Sequence, residues 1–195
     1  MSMTTVRRRR AMRSRGRLAL VGVAAITGAA LAGAVQPAPA SASVRTAAAP
    51  FCGITWGSLP RTVGVNLNLP TAAVTGLRSG AHACYDRVVW DLSGPAGVVR
   101  VEYVPAVSDQ ARVLPLRGGA FLQVVLQNVA QHAWSGTGVE LVAPTPTIRQ
   151  ASWLDWFEAF DTYGVGVRAR LPFRVFILPG PGTGSRVVLD VAHFW

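Results

Sequence analysis

The sequence contains no lysine, two cysteines, three histidines and nine acidic residues among 195. Each shortage removes a class of chemistry. Cys52, Cys84 and His82 do not stand at zinc-type ligand spacing, so no metal site is expected. Few acids remain for paired-carboxylate catalysis, and most sit inside strand patterns. Neither a nucleophile elbow nor a metalloprotease signature occurs, so His82, His132 and His193 read as strand-end or surface residues. The loop Gly180 to Gly184 is glycine-rich like a phosphate loop. A dinucleotide site requires a helix after such a loop, and here a strand pattern follows, which makes it a hairpin turn. No cofactor is expected.

What is abundant is arginine. Nineteen basic residues against nine acidic ones give a net charge of +10, a balance that suggests nucleic acid. The distribution says otherwise. Seven arginines lie within the first 17 residues, where there is no acid. The remainder carries 19 − 7 = 12 arginines and all 9 acids, a net charge of +3, so nucleic acid is not the expected partner. The arginine block is followed by the uncharged apolar run Leu18 to Val35 and then by Ala40-Ser41-Ala42. These are the three parts of a secretory signal peptide, with cleavage expected after Ala42 and Ala40 as the alternative. An uncleaved anchor is the competing reading, since eighteen residues reach the lower limit of a spanning helix. With cleavage the exported part has 195 − 42 = 153 residues, no membrane span and a secreted, extracytoplasmic location. Residues 43–50 read as a disordered lead and 51–195 as one domain. The export route, general or twin-arginine, stays open.

Export makes a disulfide between Cys52 and Cys84 the leading reading, with two buried free thiols as the alternative. Closing a loop of this length restricts the unfolded chain by about 3.5 kcal/mol in the loop-entropy model.

The folded part has the period of strands. Val88, Trp90 and Leu92 alternate with Arg87, Val89 and Asp91, and Val99, Val101 and Tyr103 alternate with Arg100 and Glu102. The turn composition of Ser93 to Gly97 joins these two runs as a predicted hairpin. Ala120 to Val129 fits a mostly buried strand. Phe173 to Leu178 and Arg186 to Val191 form a second hairpin. In Tyr163 to Arg170 one face carries Gly164, Gly166, Arg168 and Arg170. Residues 134–146 read as a connection with a short strand over Val139 to Val142. Trp153, Trp156, Phe157 and Phe160 follow a helical i, i+3, i+4, i+7 stripe, so 151–160 is read as one to two turns of helix or an aromatic loop. Arg87-Val-Val-Trp-Asp-Leu92 echoes Arg186-Val-Val-Leu-Asp-Val191, as related hairpins of a symmetric sandwich would. The predicted fold is all-β: an antiparallel β-sandwich of two sheets with at most one short helix.

These two strands resemble the hallmark strands of AMIN domains, and the closer resemblance is to the AMIN-like domain of exported actinobacterial proteins. It is carried by Cys52-Gly-Ile-Thr-Trp56-Gly-Ser-Leu-Pro60, His82-Ala-Cys84-Tyr-Asp-Arg-Val-Val-Trp-Asp-Leu92, Leu116-Arg-Gly-Gly-Ala-Phe-Leu122, Gly164 to Phe176 and Asp190-Val-Ala-His193. It covers Phe51 to Trp195. The resemblance implies a β-sandwich that binds peptidoglycan in the cell wall, or an envelope protein, without catalysing a reaction. A small secreted hydrolase and a structural, protein-binding sandwich are the alternatives.

Two surface features are candidate ligand contacts. Arg168 and Arg170 beside Gly164 and Gly166 form a flat strand face whose guanidiniums suit carboxylates of a peptide stem or glycan phosphates, or else a solvated face protected by charge. Trp153 and Trp156 suit stacking on sugar rings, or else core packing. The exported protein is expected to gain about two daltons on reduction, one hydrogen per sulfur; an unchanged intact mass would exclude the disulfide.

Overall fold

The computed structural model describes residues 51–108, 112–133 and 145–195, all within one compact unit, Thr46–Trp195. The expected signal segment, the lead 43–50 and the short strand at 139–142 lie outside the described residues. A 3₁₀ turn, Phe51–Gly53, precedes the strands. In chain order they are β1 (Arg61–Val63), β2 (Ala72–Ala81), β3 (Tyr85–Leu92), β4 (Val99–Val104), β5 (Val107–Ser108) and β6 (Val113–Leu114). There follow β7 (Ala120–Gln127), β8 (Val129–His132), β9 (Ile148–Phe157), β10 (Phe160–Val167), β11 (Phe173–Pro179) and β12 (Ser185–Ala192).

Two five-stranded sheets face each other. The first has the order β1-β4-β7-β10-β9 and the second β11-β12-β3-β2-β8. All pairings in them are antiparallel except β2 with β8. The predicted alternation sets the inner faces. Val88, Trp90 and Leu92 of β3 and Val187, Leu189 and Val191 of β12 meet Leu122, Val124 and Leu126 of β7 and Tyr163, Val165 and Val167 of β10 in one core. The Trp90 and Tyr163 rings touch across it, 5.4 Å between centroids. At about 25 cal/mol per Å² of apolar surface, this shared core is the main drive for pairing the sheets.

Two buried carboxylates tie the sheets where the apolar core ends. Asp86 belongs to the second sheet, yet its Oδ2 accepts the backbone N–H groups of Thr147 (2.6 Å) and Ile148 (2.8 Å) at the start of β9 in the first. Its Oδ1 lies 3.0 Å from Nε2 of His193, just beyond β12. Burial pushes this carboxyl upward, but the hydrogen bonds from Thr145, His193 and the two backbone N–H groups outweigh it and hold Asp86 below the usual carboxylate range. Asp161 of β10 makes the reciprocal link to His132 of β8.

Four expectations are corrected. The runs 86–92 and 98–104 do not form a hairpin: β3 pairs with β2 and β12, β4 pairs with β1 and β7, and 93–98 carries the chain from one sheet to the other. The segment 151–160 is neither helix nor loop. It is most of β9 and the turn into β10, with Glu158 and Ala159 both at positive φ (48° and 67°), the backbone of a tight two-residue hairpin turn. The strand expected to run to Arg170 stops at Val167. The run 120–129 divides at Asn128 (φ 62°), so that Val129 begins β8 in the other sheet. The hairpin of 173–178 with 186–191 forms as expected, closed at Gly180–Gly184.

Gly164 and Gly166 are covered. A strap, the β5–β6 pair and the residues leading to β7, packs Val107 and Leu116 against Leu154. A Cβ on Gly164 would lie 2.7 Å from Leu116 Cδ1, and one on Gly166 would lie 2.0 Å from the Arg117 carbonyl oxygen. These glycines seat the strap rather than presenting an open surface.

Removing the Asp86 charge tests the inter-sheet link. Because its folded pKa is depressed, Asp86 contributes stability above its unfolded pKa of about 3.9 and loses it as pH falls through the folded value. Asp86→Asn is expected to cost about 3 kcal/mol at pH 7 in urea denaturation. The difference from the parent protein should shrink below pH 4, and a difference constant from pH 7 to pH 3 would refute the link.

Candidate functional site

The echo seen in the sequence becomes geometry in the second sheet. β3 and β12 are antiparallel neighbours, registered so that Arg87 faces Asp190, Val89 faces Val188 and Asp91 faces Arg186. The Arg-Val-Val-x-Asp segment thus pairs with its own copy about a local two-fold axis at Val89 and Val188. Directly paired residues share a face, so these six side chains lie together on the exterior of the second sheet, with Arg174 and Phe176 from β11 and Arg78 from β2.

At one end of this face Asp190 is buried and held by two guanidiniums. Arg87 reaches it through Nε (2.6 Å) and Nη2 (2.9 Å), and Arg174 through Nε (2.8 Å). The Asp190 hydrogen bond holds Arg87 firmly protonated. Both arginines lie against aromatic faces: Arg174 over Trp56, Tyr85 and Phe176 at 5.2–5.4 Å, and Arg87 over Tyr85 and Phe176 at 5.2 and 5.5 Å. The disulfide Cys52–Cys84 joins the segment that carries Trp56 to the loop that leads into Tyr85. His82 stacks on Tyr85, 4.6 Å between centroids.

At the other end Asp91 takes a bidentate pair from Arg78 (2.8 and 3.1 Å). Arg186 turns instead to the Pro179 carbonyl (2.7 and 3.0 Å). Beside them runs an open groove of about 500 Å³ lined by Thr75, Arg78, Asp91, Ser93, Ser185 and Arg186, among others. The face therefore carries four arginines against two aspartates, a net charge of +2 that the strand register builds in.

The residues singled out in the sequence lie elsewhere and apart. Arg168 and Arg170 follow the end of β10. Arg168 donates to the His193 carbonyl and covers Phe194, and Arg170 donates to the Ser58 carbonyl (3.1 Å) and covers Tyr103. Trp153 packs against the core, with its indole N–H 2.7 Å from Asp161 Oδ1. Trp156 is 38% exposed and donates to the Val129 carbonyl; with Phe157 and Phe160 it forms an aromatic tip on the β9–β10 hairpin. The missed residues are Arg78, Arg87, Arg174 and Arg186 with Asp91 and Asp190. The internal echo and the excess of arginine were their signal.

One interior cluster has the composition of acid–base chemistry. His132 Nδ1 lies 3.1 Å from Asp161 Oδ2, the Tyr163 hydroxyl donates to the same oxygen at 2.8 Å, and the His132 ring stacks on Trp153. Burial raises the Asp161 carboxyl above its ordinary range; the bonds from His132, Tyr163 and Trp153 oppose this without reversing it. Burial and the neighbouring Asp161 also push the Tyr163 hydroxyl upward. The cluster bridges β8 and β10 and so serves the fold. Among the described residues no group of three or more His, Cys, Asp or Glu is placed to hold a metal ion, and no helix is long and apolar enough to cross a membrane.

A model of the AMIN-like domain family matches residues 72–193, well over half of the chain. No curated protein and no solved structure gives a significant match.

The arginine–aspartate lattice makes a stability prediction. Asp190→Asn leaves two guanidiniums facing a neutral amide and is expected to cost about 3 kcal/mol. Arg174→Ala leaves Arg87 on Asp190 but removes one hydrogen bond to the buried carboxylate, and should cost less, about 2 kcal/mol. Urea denaturation at pH 7 reads both, and equal losses would refute the shared-carboxylate arrangement.

Proposed function

The chain belongs to the AMIN-like domain family, and from that premise we propose that it is an exported, non-catalytic domain that binds peptidoglycan in the cell wall or a protein partner in the cell envelope. At family level the AMIN-like domain is a cell-wall-related, non-catalytic, extracytoplasmic module, and the Cys52–Cys84 disulfide is consistent with that compartment. The observation that carries the reading is the exterior of the second sheet. It is broad and cationic, rimmed by Trp56, Tyr85 and Phe176, and built on rigid strands, a surface suited to an extended anionic polymer rather than an enclosed small substrate. Arg168 and Arg170 beyond one end of β10, and the exposed edge of Trp156 at its other end, stand as separate alternative contacts; Trp153 belongs to that reading only through the same hairpin.

The observation that favours a second reading, a small secreted hydrolase, is the Asp161–His132 pair, in which a carboxylate orients an imidazole. Cosedimentation of the exported, disulfide-bonded protein with isolated peptidoglycan, with release of soluble wall fragments followed in parallel, separates the possibilities. Binding without release is expected. Release that is lost in His132→Ala would establish the hydrolase, and neither binding nor release would leave a structural, protein-binding sandwich.

A further inference from the structure

We infer that the exterior of the second sheet is a bivalent carboxylate-binding site. Its two half-sites are related by the local two-fold of the Arg-Val-Val-x-Asp repeat, and its natural ligand is a polymer bearing carboxylates at intervals, the chemistry of peptidoglycan stem peptides. The identity of that natural ligand rests on the wall-binding reading above; the site itself rests on the register of β3 and β12.

Three observations converge. The first is charge by half-site. Arg87 and Arg174 share Asp190, and Arg78 and Arg186 stand with Asp91, so each half carries one positive charge beyond its carboxylate. The two-fold relates only the β3 and β12 residues; the second guanidinium of each half is added by a flanking strand at a different register, Arg174 of β11 opposite Asp190 and Arg78 of β2 opposite Val89, from which it reaches Asp91. The second is the anion this face already holds. Arg78 and Arg87 each grip a carboxylate through Nε and Nη2, the fork geometry that matches a carboxylate's two oxygens. Arg186 sits opposite Asp91 with its guanidinium on a neutral carbonyl, so an incoming carboxylate exchanges a weaker acceptor for a stronger one.

The third is the floor between the halves. Arg87 and Asp91 are four residues apart on one strand, which places the half-sites about 13 Å apart. Val89 and Val188 lie between them, both buried, and on the β2 side Arg78 stands opposite Val89 with a glycine on either side of it in the outward row, Gly76 and Gly80. A Cβ on Gly80 would meet nothing within 4 Å, and one on Gly76 only Asp91 Oδ2 at 3.8 Å. A chain can therefore lie along the face and touch both ends. One exposed guanidinium–carboxylate contact contributes little, and two linked contacts gain through effective concentration.

The test is an NMR titration of the full disulfide-bonded exported protein with monomeric D-glutamate, a γ-linked D-glutamate oligomer and a polyphosphate of matched charge. The oligomer is expected to bind about a hundredfold tighter than the monomer. Arg78→Ala and Arg174→Ala should each abolish that advantage, while the Arg168→Ala, Arg170→Ala double variant keeps it. Arg78 is exposed and Arg174 leaves Arg87 in place, so both variants are expected to fold, and an unchanged core spectrum verifies it. If Arg174→Ala unfolds, Arg174→Lys replaces it, since it keeps the charge without the fork; a retained advantage in a folded Lys variant counts against the site. Equal affinity for monomer and oligomer, or an advantage that survives both variants, overturns the inference. Tighter binding of polyphosphate overturns the carboxylate assignment. Cosedimentation separates this from the wall reading. If the oligomer result holds and peptidoglycan does not pellet the protein, the wall reading fails and the site stands. If peptidoglycan still pellets the Arg78→Ala, Arg174→Ala protein, the site fails and the wall reading stands.

Discussion

The acceptance of two backbone N–H groups of one sheet by a carboxylate of the other is the constraint on which the sandwich depends. Apolar burial brings two twisted sheets together without dictating how far one slides along the other, since hydrophobic contact is not directional. Asp86 removes that freedom. Its oxygens demand Thr147 and Ile148 on one side and His193 on the other, so the start of β9 and the end of β12 are fixed relative to β3. Asp161 does the same from the opposite sheet through His132. Each carboxylate is costly to bury and finds its partners in only one alignment, which makes the pair specific; the hydrogen bonds outweigh the burial cost at Asp86 but not at Asp161.

How much of this was legible follows from which signals are local. The inner faces of β3 and β4 could be read because period-two alternation is written into consecutive residues. The β9 region misled for an identifiable reason. An extra residue, Leu154, is inserted between Trp153 and Asp155 where β9 pairs with β10, and this bulge turns an alternating pattern into one that imitates helical spacing. The turn that ends β9 uses Glu158 and Ala159 at positive φ, with no glycine or asparagine to announce it. Ser93 to Gly97 has turn composition, but composition cannot tell a chain that doubles back from one that crosses to a facing sheet. The partners of Asp86 and Asp161 were illegible because they are remote in sequence. The same holds for the candidate site: the repeat was visible, but the antiparallel register that brings each arginine opposite the other copy's aspartate was not.

Family membership and geometry supply different kinds of information. The AMIN-like match gives a compartment and a class of role, with no residue attached. The strand register assigns residues and charge, with no biology attached. The proposed site is where the two would meet: the exterior of the second sheet, whose strands hold guanidiniums over aromatic faces and against the carboxylates of Asp190 and Asp91. Arg168 and Arg170, by contrast, spend their hydrogen bonds on backbone carbonyls that fasten the chain ends and the loop before β1.

The strap over Gly164 and Gly166 bears on valence. A sandwich has two exteriors, and a domain with two open, adhesive ones could join two strands of a polymer into a network. Here Val107 and Leu116 press into the glycine rows of the first sheet, so part of that exterior is occupied by the chain itself. With the cationic lattice on the opposite side, binding through that lattice would make the domain a one-sided tile, suited to coat a surface and poorly made to cross-link it.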